Sequence, residues 1–259
     1  MEEMKLTQVA AQLYTCRDSL QDAAGIAKTL TRLREIGYTA VQASGLGPIS
    51  YADFDRILSN TGMVCCATHE GGNDILNSPE KVVERLRTLR CKITAYPFPQ
   101  GIDLSDSKIV KEWIGRLQRA GEVLAEAGQI LCYHNHNHEF RKLDGEVILD
   151  LIYNGTSRTA LQGELDTYWV QYGGGDNIAW CRKLEGLLPI ILLKDFQTTS
   201  ENKPMWCEIG AGVLDFKAII PAAEEAGCEW FVVEQDTCPG DPVDSLAASF
   251  RYIQKHLVS

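Results

Sequence analysis

The run Gln129-Ile130-Leu131-Cys132-Tyr133-His134-Asn135-His136-Asn137-His138-Glu139 passes directly from apolar residues into imidazoles, and it holds three of the chain's five histidines. A buried strand has this form where its tip enters a polar pocket. Alternation along a strand sends His134 and His136 to the same side. Neutral imidazole binds divalent metals and exchanges protons near neutral pH, so the pair could do either.

Upstream of this run lies a helical pattern, Ile109–Ala127, closed by Gly128. Its apolar positions include Ile109, Val110, Trp113, Ile114, Leu117, Val123 and Leu124. The same helix–glycine–strand unit recurs at Ala23–Ile36 with Gly37, at Phe54–Asn60 with Gly62, and at Phe216–Ala226 with Gly227. Glycine just past the last helical turn supplies a left-handed cap. Strands alternating with helices of this length imply parallel βαβ units. Eight strands are expected, near Val9–Tyr14, Ala40–Ala43, Met63–Thr68, Lys92–Tyr96, Ile130–His134, Leu161–Asp166, Ile190–Lys194 and Phe231–Glu234. A final helix, Val243–Leu257, follows Asp241-Pro242, an N-cap and a first-turn proline. This count favours an α/β fold, a single (β/α)8 TIM barrel, with residues 1–259 as one domain. An open doubly wound sheet is second, and no G-x-G-x-x-G follows an early strand.

Bulk composition excludes several functions. The 25 Lys and Arg against 35 Asp and Glu give a formal charge of −10, which disfavours nucleic-acid backbones. There is no apolar run long enough to cross a membrane and no signal-peptide pattern in Met1–Leu6. Nine cysteines are scattered without a C-x-x-C, as expected for reduced thiols in a cytoplasm. The adjacent Cys65 and Cys66 read as packed strand residues.

In a parallel barrel the C-terminal strand ends form one mouth, where polar residues are usually chemical. Here those ends carry Thr68-His69-Glu70, His134-Asn135-His136, Glu164-Leu165-Asp166-Thr167, Lys194-Asp195 and Glu234-Gln235-Asp236. His, Asp and Glu together suit Mn, Co, Zn or Fe rather than calcium. Glu139 and His138 lie past the strand end and read as loop residues. The segment Glu208-Ile209-Gly210-Ala211-Gly212 is a glycine-rich loop whose exposed N–H groups could hold an anion. Trp169 and Trp206 could stack on a sugar or simply pack.

The segments Gln12-Leu13-Tyr14, Tyr133-His134-Asn135-His136, Leu165-Asp166-Thr167, Lys194-Asp195, Glu208-Ile209-Gly210-Ala211-Gly212 and Val233-Glu234-Gln235-Asp236 occur in this order along nearly the whole chain. Together they resemble the sugar phosphate isomerase/epimerase family, the xylose isomerase-like barrels that include inosose dehydratases and ketose 3-epimerases. The group also hosts an endonuclease branch, which the charge of −10 disfavours. The resemblance implies a metal site of Glu, Asp, His and Glu from strands five to eight. Asp166 and Glu234 match it, His134 falls where the first Glu is usual, and Leu192 falls where the His is usual. The implied ligands are therefore His134, Asp166 and Glu234, holding Mn, Co or Zn, with His136 or His69 able to supply a fourth.

The resemblance further implies a small carbohydrate substrate and a homodimer as in many barrels of this group, while the charge of −10 and the lack of a long apolar run lead to the expectation of no nucleic-acid or membrane partner. Metal-assisted proton transfer beside a carbonyl is the expected chemistry. Glu234, His136 and Lys194 are the candidate catalytic residues, and His69, His136 and Lys194 the candidate substrate contacts. Lys194 could stabilise an oxyanion or form a salt bridge with Asp195 or another acid. A histidine at position 134 leaves no symmetric glutamate pair, so a dehydratase acting on a keto-sugar or inosose stands close behind an isomerase or epimerase. A barrel that binds ligand without catalysis is the remaining reading, motivated by Leu192.

Overall fold

A computed structural model describes residues 4–258. Its central feature is a closed barrel of eight parallel strands. They are β1 (Val9–Gln12), β2 (Ala40–Ala43), β3 (Val64–His69), β4 (Ile93–Tyr96), β5 (Ile130–His134), β6 (Gln162–Asp166), β7 (Ile190–Leu193) and β8 (Trp230–Val233). Each strand pairs with its neighbours in chain order, and β8 closes on β1 with Phe231 opposite Val9 and Val233 opposite Ala11. The TIM barrel expected from the helix–glycine–strand repeat is therefore the observed fold.

The glycines that end the repeated helices, Gly37, Gly62, Gly128 and Gly227, all have positive φ, from 67° to 126°. A Cβ there would meet the following carbonyl, so the turn selects glycine. Aspartates do the corresponding work at helix starts. Asp106 accepts from the N–H groups of Lys108 and Ile109, so the helix expected from Ile109 begins at Ser107 and runs to Glu126. Asp241 caps the last helix, Pro242–His256, through the N–H of Val243.

Two apolar layers result from strand alternation. The outer one joins the strands to the surrounding helices and contains Leu131, Tyr133, Leu165, Ile191, Leu193, Phe231 and Val233. The inner one fills the barrel with Ala10, Ala40, Ala67, Ala95, Cys132, Ile190, Leu192 and Val232. Small side chains from β1 to β3 leave room for the larger Ile93 of β4 and those from β7 and β8. The next inward positions toward the C-terminal end are polar: Gln12, Gln42, His69, His134, Lys194 and Glu234. A two-residue period thus places an apolar plug directly beneath a polar floor.

Helix Ser107–Glu126 packs on the chain before β6 through Gly121, where a Cβ would fall 1.8 Å from the Ala160 carbonyl oxygen. Alanine in a helix interior gains about 1 kcal/mol over glycine. The overpacking here should cost about 3 kcal/mol, so the clash prevails. Gly121→Ala is expected to lower stability by about 2 kcal/mol net, measured by urea unfolding.

The mouth carries elements that the sequence pattern did not announce. A hairpin, Asp195–Thr198 with Pro204–Cys207, follows β7 and turns near Asn202, at φ 58°. The polar run Thr198-Thr199-Ser200-Glu201-Asn202 conceals the turn, and the four-residue strands on either side are too short to display a clear alternation. After β6 the chain forms two short helices, Thr167–Tyr172 and Asn177–Lys183. Among the described residues, no helix is long and apolar enough to cross a membrane.

Candidate active site

Two groups of charged side chains share the polar floor. The first surrounds Lys194, whose side chain is 2% exposed. Its Nζ lies 3.0 Å from Glu234 Oε2, 2.9 Å from Asp236 Oδ2 and 3.3 Å from Asp166 Oδ2. Burial alone would lower the pKa of the ammonium. The charges of Asp166, Glu234 and Asp236 outweigh that and push its pKa up. The salt bridge considered for Lys194 is thus made to these three acids. Asp195 is engaged elsewhere.

Asp166 has two tasks. Its Oδ1 accepts from the N–H of Trp169 at 3.0 Å and caps Thr167–Tyr172, leaving Oδ2 for Lys194. Burial raises its pKa to about 6, against the lowering effect of Lys194. Glu234 is likewise raised, chiefly by burial. Thr167 holds the ends of β6 and β7 together: its hydroxyl accepts from Lys194 N at 2.9 Å and contacts the Leu192 and Lys194 carbonyls at 3.0 Å. Asn135 pins β5 to β6 by accepting from Asp166 N at 3.0 Å.

The second group centres on Glu164, which alternation places two residues below Asp166 on the same face of β6. It is fully buried. Its Oε1 lies 2.5 Å from His69 Nε2 and 3.1 Å from His134 Nδ1, and its Oε2 accepts from Gln42 Nε2 at 2.6 Å. Gln42 in turn accepts from Gln12 at 2.8 Å. Burial would raise the Glu164 pKa, but the neighbouring His69 and His134 hold it near 2. For His69, burial pulls down and the Glu164 charge and hydrogen bond prevail, raising its pKa. The sequence showed Glu164 at a strand end without revealing this role. Its spacing from Asp166 was the available signal.

His136 lies beyond β5 with its ring centroid 4.9 Å from that of His134 and 5.2 Å from that of Trp169. Burial, reinforced by nearby His134 and Lys194, pushes its pKa well down, so it stands as neutral imidazole. Glu139 lies past the strand end, in the short turn His138–Phe140. It is fully buried, accepting from Tyr133 Oη at 2.6 Å and His136 N at 2.9 Å, with His138 Nε2 3.1 Å away. The loop after β5 folds back on its own carboxylate.

The glycine-rich loop also differs from expectation. Asp195 fills it: its carboxylate accepts from the N–H groups of Gly210, Gly212, Leu214 and Phe196 at 2.9–3.2 Å. The anion held there is an internal one. A Cβ on Gly212 would lie 2.2 Å from Asp195 Oδ1, which explains the residue. Trp206 packs against Tyr168 and Trp169 rather than opening toward the floor alone.

A cavity of about 500 Å³ opens above both groups, lined by His69, His134, His136, Lys194, Glu234 and Asp236 among others. That volume lies within the range of small-molecule sites. Tyr14, Arg17 and Phe98 form part of its rim. The structure thus brings His69, His134, His136, Lys194 and Glu234 to one cavity, with Asp166 beneath Lys194.

The residues associated with a metal divide between the two groups. His69, His134 and Glu164 offer donor atoms within 4.8 Å of one another and could hold an ion. His134 Nδ1 is buried and faces Glu164 Oε1 at 3.1 Å, so donor atoms from β5 and β6 already converge there. His136, His138 and Glu139 form a second such group. His134, Asp166 and Glu234 do not form one among the described residues. Lys194 stands between the two carboxylates, and Leu192, fully buried in the apolar plug, has no donor atom. An ion bound to Asp166 and Glu234 would lie within roughly 4 Å of Nζ, and their repulsion would be about 8 kcal/mol at an effective dielectric of 20.

Comparison with known proteins identifies the family of the chain. The family described as xylose isomerase-like TIM barrel matches residues 30–256. An inosose dehydratase from Geobacillus thermodenitrificans is 27% identical over 165 residues, which cover 56% of this chain and 55% of that protein. The match therefore spans about half the length of that relative. A sugar phosphate isomerase/epimerase structure from Parabacteroides distasonis superposes with a TM-score of 0.83 at 20% identity, covering 100% of this chain and 98% of that one. A xylose isomerase-like TIM barrel protein from Mycobacterium smegmatis, in complex with magnesium, gives a TM-score of 0.75 at 14% identity, covering 99% and 98%. At these identities the two structures establish similarity of fold.

Proposed function

The chain belongs to the xylose isomerase-like TIM barrel family, and from that membership we propose that it is an enzyme, one barrel domain, that moves a proton next to the carbonyl of a sugar or sugar phosphate. The observation that carries this reading is the pairing, in one cavity, of a buried carboxylate of raised pKa with a fixed ammonium 3.0 Å away. Glu234 is the base: its raised pKa makes it a better proton acceptor than an exposed glutamate. Lys194 stabilises the oxyanion that develops as the proton leaves. His136, neutral and lining the same cavity, donates to or accepts from a substrate hydroxyl. His69 contacts substrate from β3.

A divalent ion, Mn, Co or Zn by the chemistry of two imidazoles and a carboxylate, would be held by His69, His134 and Glu164 and would polarise a substrate oxygen.

A second reading is a dehydratase on a keto-sugar or inosose. It is favoured by the asymmetry of the site, in which a carboxylate base shares the cavity with a neutral imidazole. Glu234 abstracts the proton and, once protonated, returns it to the departing hydroxyl, which His136 orients by a hydrogen bond. The similarity to the inosose dehydratase supports the same reading.

Both share the first step, so one experiment tests them. Keto-sugars, their phosphates and inososes are incubated with enzyme in deuterated water and followed by NMR. A substrate is expected to exchange the C–H beside its carbonyl, and Glu234→Gln should slow this about 10³-fold. Exchange with all hydroxyls retained identifies an isomerase or epimerase. Loss of water to a conjugated ketone identifies a dehydratase. Absence of exchange across the panel would count against the proposal.

A further inference from the structure

Within a family resemblance that assigns Asp166 and Glu234 to a divalent ion, we infer that the ammonium of Lys194 takes that ion's place in this chain. Three observations converge. Nζ lies 2.9–3.3 Å from carboxylate oxygens of Asp166, Glu234 and Asp236, an arrangement in which the acids gather around one positive centre. The group is 2% exposed and lines the floor of the cavity, so the charge is fixed and directed at whatever occupies it. Position 192, two residues earlier on the same inner face of β7, is a leucine fully buried in the apolar plug. A histidine ligand from β7 is therefore missing where the lysine cation is present.

The two features are complementary. Like charges this close exclude each other from one set of carboxylates. An ammonium also meets those carboxylates with directed hydrogen bonds and needs no ligand from below, so an apolar residue at 192 costs it nothing. Lys194 then supplies permanently the positive charge that stabilises a developing oxyanion, and no ion need be recruited to Asp166 and Glu234. Any ion that the protein binds lies elsewhere, with the separate donor group of His69, His134 and Glu164 as its place. This inference concerns the cation at Asp166 and Glu234 and does not depend on which substrate is used.

Mn²⁺ is the probe, with free ion read by electron paramagnetic resonance and the folded state by melting. Ion uptake by the wild-type protein should be unchanged by Asp166→Asn, and Leu192→His alone should add no ion, because Lys194 still occupies the position. Leu192→His with Lys194→Met should bind an additional Mn²⁺ about tenfold or more tighter than any new site in Leu192→His. Adding Asp166→Asn should remove that site again. The inference is overturned if Asp166→Asn abolishes an ion bound by the wild type. It is equally overturned if Leu192→His gains the ion with Lys194 in place, or if the folded double variant gains none. Should the double variant fail to fold, the wild-type, Asp166→Asn and Leu192→His titrations decide the question. All readouts are of ion binding, so failure to find a sugar substrate leaves this result independent.

Discussion

Replacing Lys194 with methionine is expected to destabilise the protein by about 3–5 kcal/mol at pH 7, the cost of leaving buried charges without their partner. In a chain of this size that lowers the melting temperature by roughly 10 °C. Methionine retains the unbranched stem and lacks only the terminal Nζ position, so most of the loss is electrostatic. Three carboxylates, Asp166, Glu234 and Asp236, would face one another around the vacated centre.

The pH dependence gives the prediction its sign. Burial already raises Asp166 to about 6 and raises Glu234, and removing the ammonium raises both further. A carboxylate whose folded pKa is raised favours the folded state when protonated and loses that advantage as pH rises through the folded value. The deficit of Lys194→Met should therefore shrink between pH 7 and pH 5. Urea unfolding at the two pH values measures it. A deficit independent of pH would show that the lysine acts through packing alone.

Glu164→Gln is the second large effect, expected at about 2–4 kcal/mol. In the ion-free protein the amide keeps the shape of the carboxylate but cannot compensate a positive His69, and it leaves one of the contacts from His69, His134 and Gln42 mispaired. The window follows from the two shifts. Glu164 is held near 2, below its ordinary 4.5, so its contribution is present above about pH 4.5. His69 is raised above 6.5, so its contribution is present below that value and is lost as pH rises through the folded pKa. The variant's deficit should peak between these limits and diminish at higher pH. NMR titration of the His69 ring supplies the independent check: its pKa should fall from above 6.5 in the wild type to below it in the variant.

Glu164 and Lys194 also show how far a sequence can be read. The eight strands and their parallel order followed from apolar periodicity and from glycines placed after helices, because both are local requirements of backbone geometry. The inventory of the mouth was legible for a related reason. Once the strands are set, alternation fixes that His134, Asp166, Lys194 and Glu234 all face inward near the same end. Strand ends were harder by a residue or so, since the polar residues that finish β7 and β8 belong as much to the loops as to the ladder.

Partner choice was not legible. Lys194 could pair with its neighbour Asp195 or with acids on other strands, and sequence distance favoured neither. In the folded chain Asp195 turns outward into the N–H groups of Gly210, Gly212 and Leu214, while Lys194 turns inward toward β6 and β8. Likewise Glu139 read as a loop residue because its partners, Tyr133 and His136, become neighbours only when the loop folds back.

The sequence by itself determined that this protein is a (β/α)8 barrel with acids, imidazoles and one lysine at the C-terminal ends of its strands. Only the tertiary structure decided how those charges are matched: Glu164 with His69 and His134, and Lys194 with Asp166, Glu234 and Asp236. Periodicity fixes which face a side chain occupies, since that depends on its own strand. Its height in the barrel relative to side chains from other strands depends on register and closure, and that height selects its partner.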